Sequence, residues 1–191
     1  MNNILTEEGR MKTRAKRYEK YLKDYLKEDC SLLDIGCGDG KLIDEIEKIL
    51  EIKLNICGVD ILRYSPDFKF FLIKGNHLPF KNKEFNIAIF IDVLHHMSYR
   101  NQEALIKEAL RVSDKVLIFE VADSITGKIV DIVTNKKHDS RVKLPLTMRT
   151  LKKWKYLFQR KNIKFEYKII KRSFNQLFML KNYFFVLEDG S

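Results

Sequence analysis

Apolar residues recur along this chain with two periods, and the switches between them predict its elements. Residues 10–28 put Met11, Ala15, Tyr18, Leu22 and Tyr25 on one helical face and fill the other with Lys and Arg. A short apolar run over 31–35 predicts a strand. After Gly40, Leu42, Ile43, Ile46, Ile49 and Leu50 return at helical spacing with acids and lysines opposite. Runs at 54–59 and 68–73 predict two more strands. The nearly unbroken apolar stretch 85–91 predicts a central strand covered on both faces. A helix over 101–112 and a strand over 115–121 follow, then helical patterns over 124–136 and 148–160. Two apolar runs at 164–171 and 177–187, joined by a short connection, predict an antiparallel hairpin. Strands alternating with helices are the signature of a doubly wound α/β sheet.

Composition narrows this little, and charge somewhat more. At 191 residues and 45% hydrophobic content, the chain suits one globular domain over 1–191 with a sizeable core. No apolar run reaches the length of a membrane span, and the first residues lack the basic-then-apolar layout of a secretory signal. Cys30, Cys37 and Cys57 are odd in number and lack metal-ligand spacing, so they predict reduced thiols and a cytoplasmic protein. The formal charge of +10 is concentrated: residues 10–27 carry eight basic and two acidic side chains, and residues 136–172 carry fourteen and two. Such patches attract phosphates or acidic molecules; a lysine-rich composition that merely decorates solvated faces produces the same pattern.

Candidate chemistry sits in residues 32–40, Leu-Leu-Asp-Ile-Gly-Cys-Gly-Asp-Gly. A strand ends in Asp34, and Gly36, Gly38 and Gly40 then lead straight into a helix. That is a nucleotide-sized site at the carboxyl end of a parallel strand. The dinucleotide fingerprint G-x-G-x-x-G needs its third glycine one residue later. A carboxylate two residues before the first glycine would repel a pyrophosphate but attract an amino group. Asp60 closes the next apolar run, 20 residues after Gly40, where a carboxylate takes ribose hydroxyls.

These residues resemble the class I S-adenosylmethionine (SAM)-dependent methyltransferases, in particular the type 11-like group with an "LDIGCGxG" first motif. The resemblance implies a Rossmann-like, doubly wound seven-stranded sheet, mostly parallel with a C-terminal antiparallel hairpin strand. It implies SAM as cofactor, with Asp34 toward the methionine ammonium, Gly36, Cys37 and Gly38 in backbone contact, Gly40 in close packing, and Asp60 on the ribose. Ile61 would lie against the adenine. Gly-Asn-His-Leu-Pro-Phe at 75–80 is similar to a family segment that meets the adenine, through Asn76, His77 and Leu78. Asp92-Val-Leu-His-His resembles the family's "LHH" segment, with Ile91 and Asp92 beneath the methionine. The helix over 10–28 would be a lid, and 124–160 an acceptor-side helical segment.

Methyl transfer needs a base only when the acceptor holds its proton tightly. His95, His96 and His138 are the candidates, with His138 and Arg149 as candidate acceptor contacts and Trp154 expected in the core. No metal is expected. The absence of an Asn/Asp-Pro-Pro-Phe/Tyr segment and of a Pro-Cys pair argues against base methylation at exocyclic amines or pyrimidine C5. A small-molecule acceptor is the leading expectation. The alternatives are an RNA or ribonucleoprotein methyltransferase, suggested by the basic patches, and a non-catalytic SAM-binding module.

Overall fold

A computed structural model describes residues 7–124, 128, 146–174 and 178–190. Its centre is a seven-stranded sheet of β1 (Ser31–Ile35), β2 (Asn55–Asp60), β3 (Lys69–Leu72), β4 (Phe85–Ile91), β5 (Ser113–Val121), β6 (Ile163–Phe174) and β7 (Phe178–Asp189). The strand order is β3-β2-β1-β4-β5-β7-β6. All pairings up to β5 are parallel, and β7 runs antiparallel between β5 and β6. The order reverses beside β1, so the carboxyl ends of β1 and β4 flank the crevice where such sheets bind ligands.

Alternation along the strands divides the core into two layers. Leu33, Ile35, Phe90, Ile118 and Phe185 face one way, onto α3 (Tyr99–Val112) and α4 (Leu151–Arg160), where Leu105, Ile106, Trp154 and Phe158 pack. Leu32, Ile89, Leu117, Phe119 and Phe184 face the other way, onto α1 (Glu7–Leu22) and α2 (Lys41–Leu50). Ala15, Tyr18 and Leu22 of α1 are buried there, so the basic amphipathic helix spends its apolar face on its own sheet. Tyr18 and Tyr21 rest on Phe119, and Phe119 stacks on Phe184 at 4.5 Å between centroids.

Several boundaries move from the sequence expectation for local reasons. α3 begins at Tyr99 because the Ser98 hydroxyl accepts the Asn101 N–H at 3.3 Å. α4 begins at Leu151 rather than 148, since Thr150 is its N-cap and accepts the Lys153 N–H. α1 ends at Leu22 instead of 28, although Leu26 still packs in its core layer. The predicted helix over 124–136 lies outside the described residues, apart from 124 and 128.

Candidate active site

The glycine loop is shaped by its neighbours as much as by its own sequence. Gly36 has φ +78°, and a Cβ there would come within 2.6 Å of the Val93 side chain, so the loop passes directly against the turn after β4. Gly38 is also left-handed, but a Cβ there meets nothing within 4 Å. Open space therefore lies beside its Cα. Gly40 caps α2, and its close approach is to Phe68 and Pro66 rather than to a helix.

Two carboxyl groups flank this loop. Asp60, the last residue of β2, accepts the Gly38 N–H at 3.0 Å through one oxygen and the Leu62 N–H at 2.9 Å through the other. It thereby ties the loop to the end of β2. Each oxygen keeps a lone pair for another donor. Asp34 differs. It is buried and accepts no hydrogen bond from a described residue, and burial, then the charges of Asp60 and Asp44, push its pKa up to about 7. An unpaired buried carboxylate is costly, and a cation placed beside it would restore its charge. Beneath the loop, burial pushes the Cys37 and Cys57 thiols up, the latter to about 11, so both are protonated. The three cysteines are free.

Asp92 follows Ile91 at the end of β4 with a left-handed φ of +58°. One of its oxygens accepts from the Tyr18 hydroxyl at 2.8 Å and the Arg14 guanidinium at 3.2 Å, both from α1. Its other oxygen is buried without a hydrogen-bond partner among the described residues. Burial works against the Arg14 charge, yet Asp92 and Tyr18 hold its pKa above the ordinary value. Burial and the Asp92 charge push the Tyr18 phenol up. This tie between α1 and the site floor was missed in the sequence, where Arg14 counted only as basic surface and Tyr18 only as apolar face.

The next turn, Leu94–His96, is held by one acid. Glu120 of β5 accepts from the Val93 and Leu94 N–H groups at 3.0 and 2.6 Å, and its second oxygen lies 2.6 Å from His95 Nδ1. Both side chains of this pair are 1% exposed. His95 is therefore enclosed structure rather than a base presented to an acceptor. An acid inside the otherwise apolar run 115–121 was the available signal for Glu120. His96 is half-buried, its ring 3.9 Å from that of His95. His138 lies outside the described residues.

The adenine-side candidates are less uniform. Ile61 is largely exposed at the loop after β2. Asn76 donates to Asn101 Oδ1 at 3.2 Å, and His77 Nδ1 lies 3.0 Å from Glu108 Oε2 with its ring mostly exposed. Leu78 is fully buried, its N–H donates to Glu108 and its carbonyl accepts from Arg111, so its backbone is committed within the protein. Glu108, chelated by Arg111, thus straps segment 75–80 to α3 and is held down to about 2, the Arg111 hydrogen bonds being the main cause. Arg149 corrects an expectation. It is buried, donates to Gln102 Oε1 at 2.7 Å, pairs with Glu103 and lies 4.5 Å from the Tyr99 ring centre, so it clamps residues 146–150 to α3 instead of meeting an acceptor. Trp154 is in the core, 1% exposed.

A family model described as a methyltransferase domain matches residues 8–183. The chain belongs to this family. The methyltransferase also shares its fold with solved structures. One is a SAM-dependent methyltransferase of Methanosarcina mazei, at 16% identity and TM-score 0.67, covering 88% of this chain and 96% of that one. Another is a protein of Pyrococcus horikoshii, at 18% identity and TM-score 0.64, covering 98% and 94%. A third is the 1,6-didemethyltoxoflavin-N1-methyltransferase of Burkholderia thailandensis with bound 1,6-didemethyltoxoflavin and S-adenosylhomocysteine, at 12% identity and TM-score 0.65, covering 98% and 81%. No curated protein matches the sequence. The methyltransferase is of class I, with SAM as its cofactor, and the site's chemistry suits that group: a carboxyl unpaired among the described residues for an ammonium, a second for ribose hydroxyls, and open space beside the Gly38 Cα. No helix among the described residues is long and apolar enough to cross a membrane.

Proposed function

We propose that this methyltransferase acts on a small-molecule acceptor, with SAM held between Asp34 and Asp60 over the glycine loop. The observation that carries the reading is Asp34, a buried carboxyl with a raised pKa and no hydrogen-bond partner among the described residues. Asp34 would take the methionine ammonium, Asp60 the ribose hydroxyls, and Gly36 to Gly38 the backbone contacts; Ile61 and Asn76 would flank the adenine. When bound, SAM supplies an activated methyl group on a sulfonium. The protein's own share is then positioning and exclusion of water. Glu120 fixes the turn that presses Val93 against Gly36, and α1 closes over Asp92. His96 is the remaining described histidine at that turn with a partly open side chain, and it would serve an acceptor that needs a base.

A small acceptor is supported by the Burkholderia thailandensis neighbour, whose structure holds 1,6-didemethyltoxoflavin. The RNA reading keeps one specific support. Lys12, Lys16, Lys20, Lys23 and Lys27 are all exposed on one side of the chain's first helix and the turn after it, and none is ion-paired with a described acid.

Titration with S-adenosylhomocysteine tests the cofactor site. Asp60→Ala is expected to weaken binding by about 1–3 kcal/mol, the scale of hydrogen bonds lost to a charged group; unchanged affinity would remove Asp60 from the site. Incubation with methyl-labelled SAM and fractionated extract tests the acceptor class. Label in low-molecular-weight fractions is expected, and label in RNase-sensitive material would establish the RNA reading instead.

A further inference from the structure

β7 carries a buried residue that neither the core nor the cofactor site explains. Asn182 is 1% exposed, and neither its amide nitrogen nor its amide oxygen has a hydrogen-bond partner among the described residues. Its position is set by register: it pairs with Val121 at the carboxyl end of β5 and with Ile170 of β6. It lies two residues from Phe184, on the sheet face that packs against α1. Its neighbours Phe119 and Phe184 on that face are apolar, and of the site residues only Asp34, at the end of β1, is a buried polar side chain there as well, so an amide costs free energy unless something meets it.

Asn182 sits at the carboxyl rim of the sheet, the edge at which such sheets bind their ligands. Asp92 N–H donates to the Phe119 carbonyl at 2.9 Å, placing Asp92 on the far side of β5 from Asn182. The backbones at Asp92 and Asn182 are thus two strand positions apart, about 10 Å. Arg14 and Tyr18 consume the other Asp92 oxygen, so the charges here are already matched to one another. What remains unmatched is one neutral donor–acceptor pair and one oxygen seeking a proton.

We propose that Asn182 is an acceptor-specificity residue and that the acceptor offers it an amide-like edge, an N–H beside a C=O, as in a lactam or cyclic imide. A primary amide supplies one donor and one acceptor side by side, and such an edge satisfies both at once. An N–H or O–H elsewhere on the same molecule would meet the free Asp92 oxygen. This inference rests on the small-molecule reading above and specifies its chemistry.

The test uses 2-pyridone, which carries that edge, and N-methyl-2-pyridone, in which the N–H is blocked. Each is titrated by ligand-observed NMR into the full chain saturated with S-adenosylhomocysteine. The wild type is expected to bind 2-pyridone at least about tenfold more tightly than its N-methyl form. Asn182→Leu is expected to abolish that difference, leave S-adenosylhomocysteine affinity within about twofold, and melt no lower than wild type, because an apolar side chain replaces an unmet amide. Asn182→Asp, nearly the same shape without the donor, is expected to keep the preference for the free N–H but to bind both probes several-fold more weakly, because nothing then donates to the ring carbonyl, and it decides the matter should the leucine variant not fold. Equal binding of the two probes by the wild type, a preference that survives in Asn182→Leu, or undiminished 2-pyridone binding by Asn182→Asp overturns the proposal. Failure of the wild type to bind S-adenosylhomocysteine would instead sink the cofactor-site reading on which it rests.

Discussion

Asp34 does two things that pull in opposite directions. Its carboxyl binds its proton more tightly folded than unfolded, because burial and then Asp60 and Asp44 disfavour the charge. The sign follows directly: its contribution to stability is best below the unfolded value of about 4 and falls as pH rises toward 7. The same strain favours any bound cation. Ammonium binding requires the ionised form, so S-adenosylhomocysteine affinity should drop about fivefold between pH 7 and pH 6, with a proton released on binding. Calorimetry in buffers of different ionisation enthalpy measures both quantities, and Asp34→Asn should flatten the profile. A profile equally steep in the asparagine variant would assign the effect to another group. This residue was legible in sequence because motif position alone marks it. Asn182 was not: within the run 177–187 it reads as one polar interruption, and only the register of β7 reveals that it is buried.

Among elements, α3 organises more of the site's surroundings than its amphipathic pattern suggests. Glu108 and Arg111 strap segment 75–80 to it, while Gln102 and Glu103 hold Arg149 and the approach to α4. Glu108 has a depressed folded pKa, about 2, so its stabilisation is full above the unfolded value and disappears as pH falls through the folded one. The melting-temperature gap between wild type and Glu108→Gln should therefore be open at pH 6 and closed near pH 2. A gap that persists unchanged at the acid end would contradict the ionic strap. The order and type of the elements were readable because alternation and helical spacing are local properties. Their ends were not, since caps such as Ser98 and Thr150 act through single hydrogen bonds that hydropathy does not register. Arg149 was misread for the same reason: a cation near an expected substrate loop looks like a binding group until its partners Gln102 and Glu103 are seen across the fold.

At the scale of the whole molecule, a seven-stranded, mostly parallel sheet was predictable and the coupling between its two faces was not. The helix layers meet at the carboxyl rim, where Asp92 is gripped by α1 while the residues after it are held by Glu120. A ligand that engages Asp92 and the docking of α1 must therefore influence each other by equal amounts. Tryptic cleavage at Lys16 and Lys20, both on the exposed side of α1, should slow when S-adenosylhomocysteine is added. Arg14→Ala should lose both that protection and part of the affinity, whereas equal cleavage rates with and without ligand would show the helix to be independent of occupancy. Because the clasp joins residues 78 positions apart, the amino-terminal segment serves as a gauge of the site: how quickly a protease opens it reports how full the crevice is.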